Sequence, residues 1–275
     1  MTSRLARALE PAFAWLDLAL HREVRTLRAR YELSLDEFRG VFVSDGQVDA
    51  LLSRRGPAPV DIVDREVERQ RVEAVAAVSA LPRLDRLART LDLPVFDRLV
   101  LFLALAPLVE QKYAPLYAYL NDFAEARDLT EGLALRLAGL EADDPVRWSL
   151  APRGRLCRLR LIERRPPVGP AGAGLALTTV AAAALLGAPE QAVAEAAGAV
   201  LERGGRVPLD TLGMPAAAEA ALAAALPVLA VRLVALTGPE GSGRRVFARA
   251  ALGADGRDVL TIDLGRLPAD VPAQD

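Results

Sequence analysis

Lysine, histidine and cysteine each occur once in this chain, as Lys112, His21 and Cys157. A single cysteine excludes an intramolecular disulfide and any cysteine-built metal cluster, and it fits a reducing cytoplasm. A single histidine, flanked by Arg22 and Glu23 on a helical stretch, has no partner that the pattern can name for general-base work. Aromatic residues are only 5% of the 275 positions while hydrophobic residues reach 52%, so the core must be aliphatic. Long apolar runs are missing too. The best windows, 99–109 and 175–186, fall short of the roughly 20 residues that span a bilayer. The N-terminus alternates charged and apolar residues and has no signal-peptide core. With a net charge of −2, no global field draws the chain to nucleic acid or an anionic membrane.

Helical periodicity dominates what is present. Leu5, Leu9, Phe13, Leu16, Leu20, Val24 and Leu27 are spaced for one helix face, with Pro11 marking a helix start or a kink. Ser34 heads a second cap signal, and Ser44 with Gln47 has capping-box spacing before a short helix. Residues 54–60 read as a turn or linker. From Val63 to Leu140 the helical pattern returns, cut by Pro82, Pro94, Pro107 and Pro115, and the stretch from Leu93 is apolar on nearly every side, as a buried helix is. Thr130 opens another short helix. The period then changes. Leu156, Arg158 and Arg160 alternate with Cys157, Leu159 and Leu161, which predicts a half-exposed strand pairing with a strand near Trp148–Leu150. An Ala-rich helix is expected over 175–186, stopped by Gly187, and a helical connector over 188–227. The last 45 or so residues read as β-α-β, with strands at 231–236 and 259–264 and a helix at 244–252.

Between the first of these strands and the helix lies LTGPEGSGRRVF. Gly238, Pro239, Glu240, Gly241, Ser242 and Gly243 keep the spacing of a phosphate-binding loop, whose glycines aim backbone N–H groups at phosphate ahead of a helix N-terminus. The next two positions depart from it. Arg244 replaces the lysine with a planar fork, and Arg245 replaces the Ser or Thr that would hold Mg²⁺. This reading allows weak ATP or ADP binding and argues against Mg²⁺ at the loop. The alternative is a turn that merely links strand to helix.

Four stretches carry a resemblance: LDEFRGVFVSDGQVDALL (35–52), LDLPVFDRLVLFLALAPLVEQKYAPLYAYLND (91–122), RWSLAPRGRLCRLRLIE (147–163) and LVALTGPEGSGRRVFARAAL with VLTIDL (233–264). They resemble the N-terminal part of bacterial AAA+ ATPases that carry a winged-helix-variant domain ahead of their ATPase modules. The resemblance implies a degenerate first ATPase module, ring assembly and ATP-driven remodelling by a larger protein. The sequence ends at Asp275, before the later strands and acidic motif of such a module, so a fragment or a split gene is expected.

The remaining candidates are few. Arg153, Arg155, Arg158, Arg160, Arg164 and Arg165 form the one dense basic cluster, broken by Glu163. On a wing it could meet phosphates, or a protein, or simply be a solvated face. Cys157 reads as a small core residue, Asp143 and Asp144 as a turn, and Trp15 and Trp148 as packing anchors. Asp263 closes the second strand, and without a hydroxyl at 245 its part in metal positioning is doubtful. The expected architecture is mainly α: a helical N-terminal region over 1–60, a winged-helix-like domain with a β-hairpin over 61–190, a helical connector over 191–228 and a truncated α/β P-loop unit over 229–275. The function expected is that of a regulatory or adaptor portion of an AAA+ ATPase, cytoplasmic and non-catalytic by itself, contacting proteins or other AAA+ subunits. Nucleic-acid binding through Arg153, Arg155, Arg158 and Arg160, or weak ATP binding, are the alternatives.

Overall fold

The computed structural model describes residues 4–33, 60–167, 172–202, 237, 239, 241–253 and 258–262. The chain divides into two compact units, Met1–Ala188 and Pro189–Asp275. The expected cap signals at Ser34 and Ser44, the linker over 54–59 and the strand over 231–236 lie outside the described residues.

The first unit opens with α1 (Arg4–Ala8) and α2 (Glu10–Leu33). Pro11 sits in the first turn of α2, where its missing N–H has no helical partner to lose. Leu9, Phe13, Leu16, Leu20 and Val24 are all buried, as their spacing predicts. Helix α3 (Val60–Ser79) packs along α2. Then come α4 (Pro82–Thr90), α5 (Val95–Val109) and α6 (Tyr113–Leu120). Helix α5 is buried from Leu99 through Ala106 without interruption. It touches α3, α6, the later strand Ala173–Leu177 and two later helices, and it is the spine of the core.

Pro107 does not cut α5, contrary to the expectation from sequence. Proline removes the N–H that would bond the carbonyl four residues back, which is Leu103. The buried Tyr117 hydroxyl on α6 donates to that carbonyl instead, at 3.0 Å. Burial holds this phenol firmly protonated, so the donor is always present. Pro115 is likewise tolerated in the first turn of α6.

A two-residue strand, β1 (Leu129–Thr130), then leads into α7 (Glu131–Ala138). Thr130 caps α7, accepting from the Leu133 N–H, and donates its own hydroxyl to Asn121 Oδ1 at 2.9 Å. The buried Asn121 amide donates to the Ala126 and Asp128 carbonyls, which fixes the chain between α6 and β1. After a six-residue 3₁₀ turn (Pro145–Leu150) and the single-turn α8 (Arg155–Arg158) come β2 (Ile162–Pro167), β3 (Ala173–Leu177) and α9 (Thr179–Leu186). The sheet is antiparallel in the order β1-β3-β2, with Leu129 opposite Leu175 and Ile162 opposite Leu177.

Three expectations are corrected in this region. Residues 156–161 are not a strand. Their apolar pattern belongs to a helix ending: the Leu161 N–H bonds the Leu156 carbonyl, the Arg160 N–H bonds the Cys157 carbonyl, and Arg160 takes the left-handed conformation at φ 54°. That is a Schellman motif with arginine where glycine is usual, closed by the buried pair Leu156 and Leu161. The hairpin is therefore β2–β3, not a pairing through Trp148–Leu150. The Ala-rich helix begins at Thr179, because Leu175 and Leu177 lie in β3; it ends at Gly187 as expected, at φ 96°. Pro166 and Pro167 are tolerated in β2 because it is an edge strand.

The second unit contains α10 (Glu190–Ala196), β4 (Ala199–Glu202), α11 (Arg244–Gly253) and β5 (Val259–Ile262). Strand β4 interrupts the expected helical connector and pairs antiparallel with β5.

Replacing Tyr117 by Phe leaves the Leu103 carbonyl buried and unpaired, a loss of about 1–3 kcal/mol in urea unfolding. Adding Pro107→Ala restores an N–H to that carbonyl and shrinks the loss. Equal losses from Tyr117→Phe with and without the Pro107→Ala substitution would refute the repair.

Candidate functional site

The segment between α7 and the β2–β3 wing holds the features of interest. Residues 145–158 there form no continuous helix, but a 3₁₀ turn followed by a single helical turn. Asp144 caps the 3₁₀ turn by accepting from the Val146 N–H at 2.9 Å, and Pro145 fits its first position. A 3₁₀ run of six residues needs outside support, since runs beyond three or four are uncommon. Gly154 supplies part of it. A Cβ at 154 would lie 2.3 Å from the Trp148 carbonyl oxygen and 2.4 Å from that of Ser149, so only glycine lets the chain close on the turn. Arg164 on β2 supplies another part, donating to the Leu150 carbonyl at 2.6 Å.

A buried acid lies beneath the turn. Asp97, in the first turn of α5, is 1% exposed, and neither carboxylate oxygen makes a hydrogen bond of standard geometry. Burial raises its pKa; the nearby Ser149 hydroxyl and the Arg155 guanidinium, 3.8 Å away, oppose the rise. Arg155 also donates to the Asp92 carbonyl at 2.7 Å. Arg155 therefore ties α8 to the α4–α5 turn, with its side chain 40% exposed.

The basic cluster sorts into tethered and untethered members. Arg147 and Arg164 both reach Glu131, at 2.7 and 3.5 Å. Arg165 pairs with Asp128 at 3.0 Å and with Glu163 at 3.5 Å. Arg153, Arg158 and Arg160 are exposed and have no ion-pair partner among the described residues. The left-handed Arg160 is held through its carbonyl, which accepts from the Thr178 hydroxyl at 2.7 Å. Trp148 corrects another expectation. Trp15 is fully buried, as a packing anchor is, but Trp148 is 69% exposed, with the Arg147 guanidinium 5.8 Å from its ring centre. Nothing in the periodicity distinguishes these two tryptophans. The proline and glycine punctuation around 145–154 was the available signal that Trp148 sits on a turn.

The other candidates are placed as follows. Cys157 is half-buried, and burial raises its pKa, which disfavours the thiolate. His21 is half-buried on α2. In the second unit Gly241 and Gly243 take φ of 80° and 74°, the Ser242 N–H bonds the Pro239 carbonyl, and α11 starts at Arg244. Arg244 and Arg245 are exposed, and the buried Phe247 anchors the helix. Gly238, Glu240 and Asp263 lie outside the described residues. Among the described residues no group of His, Cys, Asp or Glu could hold a metal, and no helix is long and apolar enough to cross a membrane.

Residues 9–179 match a family model described as winged helix domain, variant. Comparison with curated proteins and with solved structures returns no match.

Asp97→Asn tests the acid beneath the turn. The folded-state pKa is raised, so the native state binds the extra proton and wild type loses stability, relative to Asp97→Asn, as pH rises through the window above the ordinary aspartate value. Urea midpoints of the two proteins across that range should diverge with rising pH. A constant difference would show that Asp97 does not titrate with folding.

Proposed function

The chain belongs to the variant winged-helix family, and from that premise we propose that it works as a protein-recognition adaptor, not as a reader of DNA sequence. The observation that carries this reading is the broken segment 145–158. A helix that enters the major groove presents several successive side chains along its length. Here that stretch is a 3₁₀ turn and one helical turn, fastened to the body by Gly154, Arg155 and Arg164. Arg147, Arg155, Arg164 and Arg165 are held by acids or backbone carbonyls of the protein itself. Few charges are left to displace counterions from a phosphate backbone.

The resemblance to AAA+ ATPases extends the proposal: the winged helix would position an ATPase assembly against its protein partner. The turn from Pro239 to Arg245 would then be the remnant of a nucleotide loop. Left-handed Gly241 and Gly243 ahead of the α11 N-terminus suit a phosphate. Arg244 would add charge, and Arg245 offers no hydroxyl for a metal. A nucleotide bound there would be held through its phosphates.

Two measurements check the reading. Fluorescence anisotropy with labelled duplex DNA at low salt should show no saturable binding; a saturable isotherm that weakens steeply with salt would favour the nucleic-acid alternative. Calorimetry with ATP should give the same heat, weak or nil, with and without Mg²⁺. Tight Mg²⁺-dependent binding would contradict the degenerate loop.

A further inference from the structure

We propose that the turn bearing Trp148, together with Arg153, Arg158 and Arg160, is a docking site for an acidic peptide segment carrying an apolar anchor residue. The inference rests on the protein-recognition reading and names its partner chemistry.

These residues occupy one compact unit. Gly154 lies against the Trp148 and Ser149 carbonyls, which places Arg153 beside the tryptophan's backbone. The Arg158 N–H bonds the Gly154 carbonyl, and Arg160 follows at the left-handed end of α8. The 3₁₀ turn and α8 are in direct contact. The acids nearby are already engaged: Glu131 by Arg147 and Arg164, Asp128 and Glu163 by Arg165, and Asp97 beneath Arg155. Glu141 and Asp143 are exposed on either side of Ala142, whose carbonyl Arg147 bonds, and Asp92 is exposed beside Arg155. The unit carries one large exposed indole and three exposed guanidinium groups that have no ion pair among the described residues.

The backbone under this patch is over-determined. Asp144, Gly154, Arg155 and Arg164 each fasten it, and Arg160 is kept in a left-handed conformation that non-glycine residues rarely adopt. A Trp and several Arg side chains on a rigid support are the residue types that dominate binding energy at protein interfaces. The exposed charge selects the partner: carboxylates for the three arginines, and an apolar or aromatic side chain against the Trp148 ring. The arginines are too few, and the helix too short, for a duplex.

Trp148 is its own reporter. Trp15 is buried with its Nε1 unbonded, so Trp15→Phe removes the second fluorophore without breaking a hydrogen bond. In that background a short peptide of Glu and Asp with a central Phe should shift Trp148 emission to the blue in a saturable, salt-weakened manner. Trp148→Ala, followed by peptide anisotropy, and Arg153→Glu with Arg158→Glu should each weaken binding about tenfold or more. Arg153→Glu alone should also weaken it, the equal charge reversal Arg69→Glu on α3 should leave it unchanged, and circular dichroism should confirm that every variant is folded. The proposal is overturned if the peptide gives no shift at millimolar concentration, if its all-Ala-anchored counterpart binds equally well, or if the Arg69 variant loses as much as the patch variants. Absence of both peptide and DNA binding would remove this site and leave the broader adaptor reading standing, whereas tight duplex binding would remove both.

Discussion

The hydroxyl of Tyr117 on the carbonyl of Leu103 holds the centre of the first unit together. Helix α5 is buried from Leu99 through Ala106, so the Leu103 carbonyl has no water to satisfy it, yet Pro107 withholds the N–H that would bond it. The neighbouring helix repairs the break. In doing so it sets the distance and angle of α6 against α5, and Phe13 of α2 completes the packing by lying 5.6 Å from Phe102 and 5.5 Å from Tyr113. Beside this cluster the only lysine, Lys112, pairs with Asp17 at 2.8 Å, and the Tyr113 hydroxyl donates to the same carboxylate. The wing and the broken segment are positioned by this core, through β3 against α5 and through Asp97 under the 3₁₀ turn.

Arginine supplies much of the rest. Arg22 donates to the Arg136 carbonyl and Arg71 to that of Ala138, both at the end of α7. Arg83 bonds the carbonyls of Ala184 and Ala188 at the end of α9, and Arg136 that of Leu120 at the end of α6. Helix C-termini leave carbonyls unpaired and carry partial negative charge, and a planar guanidinium reaches two of them at once. Several of the described arginines are therefore internal wiring. Arg153, Arg158 and Arg160 are exposed and without an ion pair among the described residues, and they lie close together in the chain.

The apolar spacing of α2 and the continuous apolar run of α5 were legible because burial on one face, or on all faces, is written directly into the period. Thr130 and Gly187 were legible as helix ends for equally local reasons. Pro107 was misleading, because its compensation comes from a side chain on another helix. The 156–161 stretch misled in a different way: a Schellman closure buries residues five apart, and over six positions that looks like strand alternation. The basic cluster was visible in the sequence, but not which of its members were already held by Glu131, Asp128 and Asp97, nor that Trp148 lay outside the core. Those are facts of tertiary contact.

In this winged-helix variant residues 145–158 are a 3₁₀ turn and one helical turn held to the body at Gly154, Arg155 and Arg164, and the proposed protein-recognition role rests on that segment. Hydrogen exchange across residues 145–158, with and without duplex DNA, tests this most directly. The account predicts the sparse protection of a 3₁₀ turn and one helical turn, unchanged by DNA. A continuous helical protection pattern through the segment, appearing when DNA is added, would contradict it.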